Sequence, residues 1–340
     1  MGRKLYIGLG GLGMRVVSMM KKIQDNTQNK GTFYVVLDTD TNDALYHLKD
    51  ETITFVNMRL NKSVKYYFEL LKPVRNVEEW YPTSPTLICS LEEHINMTRA
   101  AGRLAFLYAM ESGELKPVRE LVNKLIMSNE LDDCLQIVIV TSLAGGTGSG
   151  SFIQLALWIR SQLEGIGSTN YKLDGLFVGP EVFINSFLDL KYCAIDSAVL
   201  RGNTYAALVE MELLNRISHE KTSTLSLDKK LVDRLLDCPL PQTGLIFDET
   251  YIYDNCNSAD GSFYEHIEHL VEMLTDDYPS VVIENTKQVQ VYVNDSPRLK
   301  EAYLHICERA RDRSMIEFTP HTDLLSNIDI LKMSLLNDEF

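Results

Sequence analysis

The chain has 340 residues, 45% of them apolar and 24% charged, a balance ordinary for a globular protein and a length that suits two domains. Its net charge of −14, from 33 basic against 47 acidic residues, argues against a nucleic-acid or anionic-membrane surface as the principal partner. Six cysteines (Cys89, Cys134, Cys193, Cys238, Cys256 and Cys307) form no CxxC pair, and no apolar run approaches the roughly 18 residues that span a bilayer. With a strand beginning at Lys4 and no room for a signal peptide before it, the expectation is a cytoplasmic protein with reduced thiols, no metal framework and no membrane insertion.

Taken in order, Lys4–Gly8 is a short strand feeding Gly8-Leu9-Gly10-Gly11-Leu12-Gly13, and Met14–Ile23 reads as a helix. A second strand, Thr32–Leu37, ends in Asp38. Glycine turn, helix, strand and acid together match the fingerprint of a dinucleotide-binding unit, so an NAD- or FAD-dependent oxidoreductase is one reading of this segment. Asp38-Thr39-Asp40 then leads into Thr41-Asn42-Asp43, which opens another helix, Asn42 or Asp43 being placed to cap it. Residues 44–95 carry aromatics and prolines without a clean period. An amphipathic helix starts near Thr98, with Arg99 and Arg103 on it, and Glu114–Met127 is a further helical stretch.

Leu135–Gly150, LQIVIVTSLAGGTGSG, is the most informative stretch. A β-branched run reads as a buried strand, and the turn that ends it carries Gly145, Gly146, Gly148 and Gly150 just ahead of the apolar helix Ser151–Leu163. Such a turn lets backbone N–H groups close around an anion, and the helix end adds roughly half a positive charge. No lysine follows Gly150, so this is not a Walker loop, and the backbone with Thr147 and Ser149 would hold a phosphate without an ammonium group. Downstream, Leu173–Gly179 is a strand, Pro180–Phe183 a turn, Ile195–Leu214 a helix containing Asn203, and Thr224–Leu231 a polar segment containing Asp228. Thr243–Tyr253 is strand-like, Phe263–Leu274 helical, Val281–Val293 strand-forming and Pro297–Arg311 helical; His266 and His269 share a helix face with no third ligand in view.

The Gly-Gly-Thr-Gly-Ser-Gly run at 145–150 resembles the signature loop of the tubulin/FtsZ superfamily of GTP-binding, filament-forming proteins, and the ordered companions at 8–13, 38–40, 98–103, 203 and 228 strengthen the resemblance. It implies that Gly10, Gly11, Leu12, Gly13 and Arg15, with Ala144, Gly145, Gly146, Thr147, Gly148 and Ser149, surround the phosphates of GTP or GDP. Asp38, Thr39 and Asp40 would then approach the phosphate and magnesium side, with Mg2+ held through the phosphates. Arg99 or Arg103 would supply charge toward the phosphates with Thr98 beside them at the nucleotide, Glu181 would lie beside the ribose, and Asn203 would read guanine. Asp228 would belong to the acidic loop that enters the next subunit's pocket and polarises the attacking water. Two departures stand out. Glu93-His94-Ile95-Asn96 replaces a loop that is usually glycine-rich, and Ser226 and Leu231 flank Asp228 where the family has Asn and a second acid. The pattern supports nucleotide binding better than fast hydrolysis.

The expected fold is α/β: a Rossmann-like parallel-sheet GTP-binding domain over residues 1–194, a long central helix over 195–216 and a smaller α+β second domain over 217–340. The expected function is a GTPase that assembles head to tail with itself, with an adaptor protein as a further partner. The alternatives are the oxidoreductase and a nucleotide-binding interaction module that does not hydrolyse.

Overall fold

A computed structural model describes residues 3–25, 31–75, 77, 81, 98–127, 134–187, 197–219, 246–254, 263–275 and 290–293. Its centre is a seven-stranded sheet built from β1 (Lys4–Leu9), β2 (Thr32–Asp38), β3 (Thr54–Asn57), β4 (Leu135–Ser142), β5 (Tyr171–Val178), β6 (Glu249–Asp254) and β7 (Gln290–Val293). The order is β3-β2-β1-β4-β5-β6-β7, parallel except for β7, which runs antiparallel to β6.

The helices among the described residues are α1 (Gly10–Asp25), α2 (Thr41–His47), α3 (Val64–Leu71), α4 (Arg99–Ser112), α5 (Lys116–Met127), α6 (Thr147–Gly165), α7 (Pro180–Phe187), α8 (Ser197–His219) and α9 (Phe263–Thr275). They cover both faces, which is why the central strands read as nearly unbroken apolar runs. Successive side chains of a strand point to opposite faces. Leu5, Ile7, Leu9, Ile137, Ile139 and Phe177 therefore pack with α3 to α6 and α8, while Tyr6, Val36, Val138, Val140 and Leu176 pack with α1, α7 and α9. No described helix is long and apolar enough to cross a membrane.

Pairing register sets the position of the site. β1 lies between β2 and β4, with Leu9 opposite Leu37 on one side and Thr141 on the other. The turns after all three strands thus leave the sheet at the same level. The chain goes from β1 to β2 on one side and later returns as β4 on the other, so the point between β1 and β4 is a topological switch, where open α/β sheets form their crevice.

Two expectations change here. The segment at 195–216 is indeed a long helix, α8, but the chain does not leave the sheet after it. β6 pairs in parallel with β5, Asp174 opposite Glu249 through Val178 opposite Tyr253, and β7 adds to β6. Residues 249–254 and 290–293, assigned by sequence to a separate second domain, are strands of the first sheet. The physical reason is that β6 is apolar on both sides: Ile252 enters one core, Tyr251 and Tyr253 the other. The second change is at Pro180–Phe183, expected as a turn, which begins α7. Proline is at home in a first helical turn, and the carboxylate of Asp254 accepts the amides of Glu181 (2.9 Å) and Val182 (3.3 Å).

Candidate functional site

The turns after β1, β2 and β4 converge on the switch point. Gly10 has φ +66°, a conformation that favours glycine. A Cβ placed on it would lie 3.3 Å from the amide nitrogen of Gly148 and 3.6 Å from Thr147 Cβ, so the two glycine turns touch across the gap between β1 and β4. Gly148 itself sits against the sheet edge: a Cβ there would fall 1.8 Å from Thr141 Oγ1 and 3.1 Å from the Leu9 carbonyl. Thr141 Oγ1 donates to that same carbonyl (3.1 Å), and the hydroxyls of Thr39 and Thr147 are 2.8 Å apart. A Cβ at Gly145 would meet nothing within 4 Å, which leaves open space in front of the turn.

α1 and α6 both begin at this place, so two helix N-termini, with their first-turn amides and partial positive charge, flank one crevice. Gly146 precedes α6 and provides no side-chain cap, which leaves the helix start to the backbone. Gly10 to Gly13 form the first turn of α1, with Leu12 buried in the core beneath it. Arg15, one turn further, donates to the Gly11 carbonyl (3.2 Å) and pairs with Asp43 (3.0 Å).

Asp38 ends β2 with Oδ1 accepting the amides of Thr39 (2.7 Å) and Asp40 (3.3 Å), while Oδ2 is buried with no hydrogen-bond partner. Burial, with Asp40 and Asp43 nearby adding repulsion, pushes its carboxyl up to about 6 from 3.8 despite the two amides. The folded state therefore holds this proton more tightly than the unfolded chain, and stability falls as pH rises from about 4 to about 6. Asp38→Asn is expected to match the wild type in melting temperature near pH 4 and to exceed it at pH 7.5 by the equivalent of roughly 1–3 kcal/mol. A difference that stays constant between the two pH values would show that ionisation of Asp38 is not the source. Asp40 is the N-cap of α2, accepting the amides of Asn42 (2.9 Å) and Asp43 (3.0 Å); the capping that sequence gave to Asn42 or Asp43 belongs to it.

Other expected site residues have different partners. Arg99 is buried: Nε donates to Ser149 Oγ (2.9 Å), Nη2 to the Ser149 carbonyl (3.1 Å), and the guanidinium pairs with Glu210 of α8. Both carboxylate oxygens of Glu181 accept from Arg201, at 2.7 and 3.0 Å. Asn203 Nδ2 donates to the carbonyls of Ala144 (3.0 Å) and Gly145 (3.4 Å), so it grips the turn itself. Thr98 is the residue before α4 and its side chain makes no cap bond. Asp228 lies outside the described residues. His266 is buried against Tyr253, whose hydroxyl is 3.0 Å from Nδ1, and exposed His269 faces Glu272.

Sequence reading missed Asp254, Glu210, Arg201 and the aromatic pair Phe183–Phe263 (ring centroids 5.5 Å apart, with Arg15 6.0 Å from the Phe263 ring). The one usable signal was Asp254, an acid closing a strand-like run.

The architecture defines a doubly wound α/β protein with a backbone-lined crevice at its switch point. The tubulin-like family model matches residues 5–303, and the chain belongs to that family. Among solved structures it is similar to CetZ1 from Haloferax volcanii as a GDP-bound monomer (15% identity, 84% of this chain and 62% of that one, TM-score 0.44). It is also similar to an FtsZ from M. jannaschii (14%, 83% and 60%, 0.35) and to a GTPγS-form protofilament of TubZ from Bacillus thuringiensis serovar israelensis (13%, 84% and 56%, 0.42). The chain spans about three fifths of the length of these proteins. No curated protein sequence matches it.

Proposed function

We propose that the chain binds a guanine nucleotide in this crevice and assembles head to tail with copies of itself. The observation that supports the reading best is the contact of two glycine turns, Gly10 and Gly148, at one switch point where two long helices begin. Backbone amides of Gly10–Gly13 and Ala144–Ser149 are the phosphate donors in this reading, and Thr39 and Thr147 offer hydroxyls beside them. The residues fit such a ligand: the turns present donors without bulk, and the orphaned Asp38 oxygen suits a cation, Mg2+ carried in by the phosphates, or a proton. Guanine as the base, and self-association, are what membership of the tubulin-like family and the matching motifs imply.

A bound nucleotide would supply a phosphoanhydride. The chain's own part is to orient it on fixed backbone dipoles and, through Asp228 of the adjoining subunit, to take a proton from water. A head-to-tail contact of this kind is heterologous and generates an open filament. Ser226 and Leu231 around Asp228 favour slow turnover.

Affinities of the purified protein for GTP and for NADH test the ligand: micromolar or tighter GTP with no NADH binding is expected, and the reverse overturns the reading in favour of the oxidoreductase. Phosphate release against protein concentration tests the assembly. A steep rise that Asp228→Ala abolishes is expected, and a flat rate near zero replaces it with a non-hydrolysing module.

A further inference from the structure

Helix α8 holds the glycine turn at both ends. Asn203 takes the carbonyls of Ala144 and Gly145, where the turn leaves β4. Glu210 lies seven residues on, two helical turns along the same face. It accepts from Arg99 Nη1 (3.2 Å) and Nη2, and Arg99 passes the hold to Ser149 through Nε–Oγ (2.9 Å), Nη2–O (3.1 Å) and Nε–O (3.3 Å). Arg99 and Ser149 are 6% and 1% exposed, and the Glu210 side chain 13%. A guanidinium is suited to this, because its planar fork serves two partners at fixed angles. We infer that Arg99 and Glu210 are positioning residues that, together with Asn203, lock residues 144–149 into their anion-binding shape from α8, and that Arg99 is not itself a phosphate ligand. The inference rests on the reading of the crevice as a phosphate site.

The two roles for Arg99 predict opposite signs. Were its charge directed at phosphate, Glu210 would be a competitor, so Glu210→Gln would tighten anion binding and Arg99→Lys would largely keep it. As a strut, the pair is needed intact: Glu210→Gln loosens Ser149, and a lysine at 99, with all its donors on one nitrogen, cannot reproduce the fork that serves Ser149 through Nε and Glu210 through both Nη atoms.

The test uses the full-length chain with two readouts. Calorimetric titration with GTP and with ATP is expected to show GTP affinity weakened about tenfold (about 1.4 kcal/mol) in both Glu210→Gln and Arg99→Lys, with the GTP-to-ATP preference unchanged. Hydrogen exchange without nucleotide is expected to quicken at the amides of Gly145–Ser149 in both variants, while those of β1 and β5 keep their wild-type rates. Tighter or unchanged GTP binding in Glu210→Gln overturns the inference, as does wild-type exchange at the turn. If Glu210→Gln does not fold, Arg99→Lys alone decides by the same two measures. If the wild type binds no nucleotide, the proposed function falls, and exchange at the turn still decides whether the strut exists.

Discussion

Gly150→Ala is expected to be among the most destabilising single-methyl additions this chain can receive, lowering stability by about 3 kcal/mol or more. A Cβ at Gly150 would lie 2.1 Å from the Arg99 carbonyl oxygen, 2.9 Å from its carbon and 2.9 Å from the Arg103 amide nitrogen. All three are backbone atoms, so no side chain can swing aside. The crossing is reciprocal: a Cβ at Gly102 of α4 would fall 2.3 Å from the Gly146 carbonyl oxygen. α4 and α6 therefore touch main chain to main chain, and relief requires the helices to separate. Separation would loosen Phe106, Leu157 and Ile159 in the larger core and pull the 144–150 turn off the sheet edge. Helix propensity argues the other way, since alanine gains about 1 kcal/mol over glycine inside a helix, but the collision outweighs it. Gly165 at the other end of α6 isolates the two effects. It is exposed with nothing within 4 Å of a Cβ, so Gly165→Ala should raise stability by a few tenths to about 1 kcal/mol. Urea denaturation midpoints of the two variants check this, and a Gly150→Ala midpoint equal to the wild type would show that the helices are not in backbone contact.

How much of this was legible in sequence depends on how local the cause was. β1, β2, β4 and β5 are buried on both faces, so they appear as apolar runs, and the glycine turns after β1 and β4 announce themselves by composition. The segment from 44 to 75 was opaque because its cues conflict. In α3 Tyr67 and Leu71 are buried while Tyr66 and Leu70 are substantially exposed, and β3 is only four residues at the sheet edge. The boundary placed at 217 missed β6 because its partner β5 is far away in sequence, and no local pattern shows which sheet a strand will join.

The candidate site divides along the same line. The two glycine turns at Gly10–Gly13 and Ala144–Ser149 could be picked out because glycine spacing is itself the signal. Charged side chains could not be assigned that way. Arg99 and Glu181 look like ligands in isolation, yet they meet Glu210, 111 residues on, and Arg201, 20 residues on. A lone charge in a sequence does not name its partner. The same holds for Asn203, whose amide reaches 59 residues back to Ala144.

Arg201→Met is expected to cost about 3–5 kcal/mol. Arg201 and Glu181 form a two-pronged pair between α8 and α7 (Nε–Oε1 2.7 Å, Nη2–Oε2 3.0 Å) with side chains 5% and 8% exposed. Removing the guanidinium leaves a carboxylate at a place that water scarcely reaches, and its desolvation is no longer offset by the attraction that two charge-assisted hydrogen bonds provided. Methionine fills most of the arginine stem's volume, so the loss reports the missing ion pair more than a cavity. That distinguishes it from a packing defect through the double variant. Glu181→Met with Arg201→Met removes both charges, and a buried pair replaced by apolar residues of similar size is often neutral or better. The double variant should therefore recover most of the loss, giving a coupling energy of about 2–4 kcal/mol in the cycle. Asp254 still accepts the Glu181 and Val182 amides in every variant, so the start of α7 is retained and the cycle reads the ion pair alone. Equal losses in the single and double variants would mean that packing of α8 on α7, not charge compensation, fixes that contact.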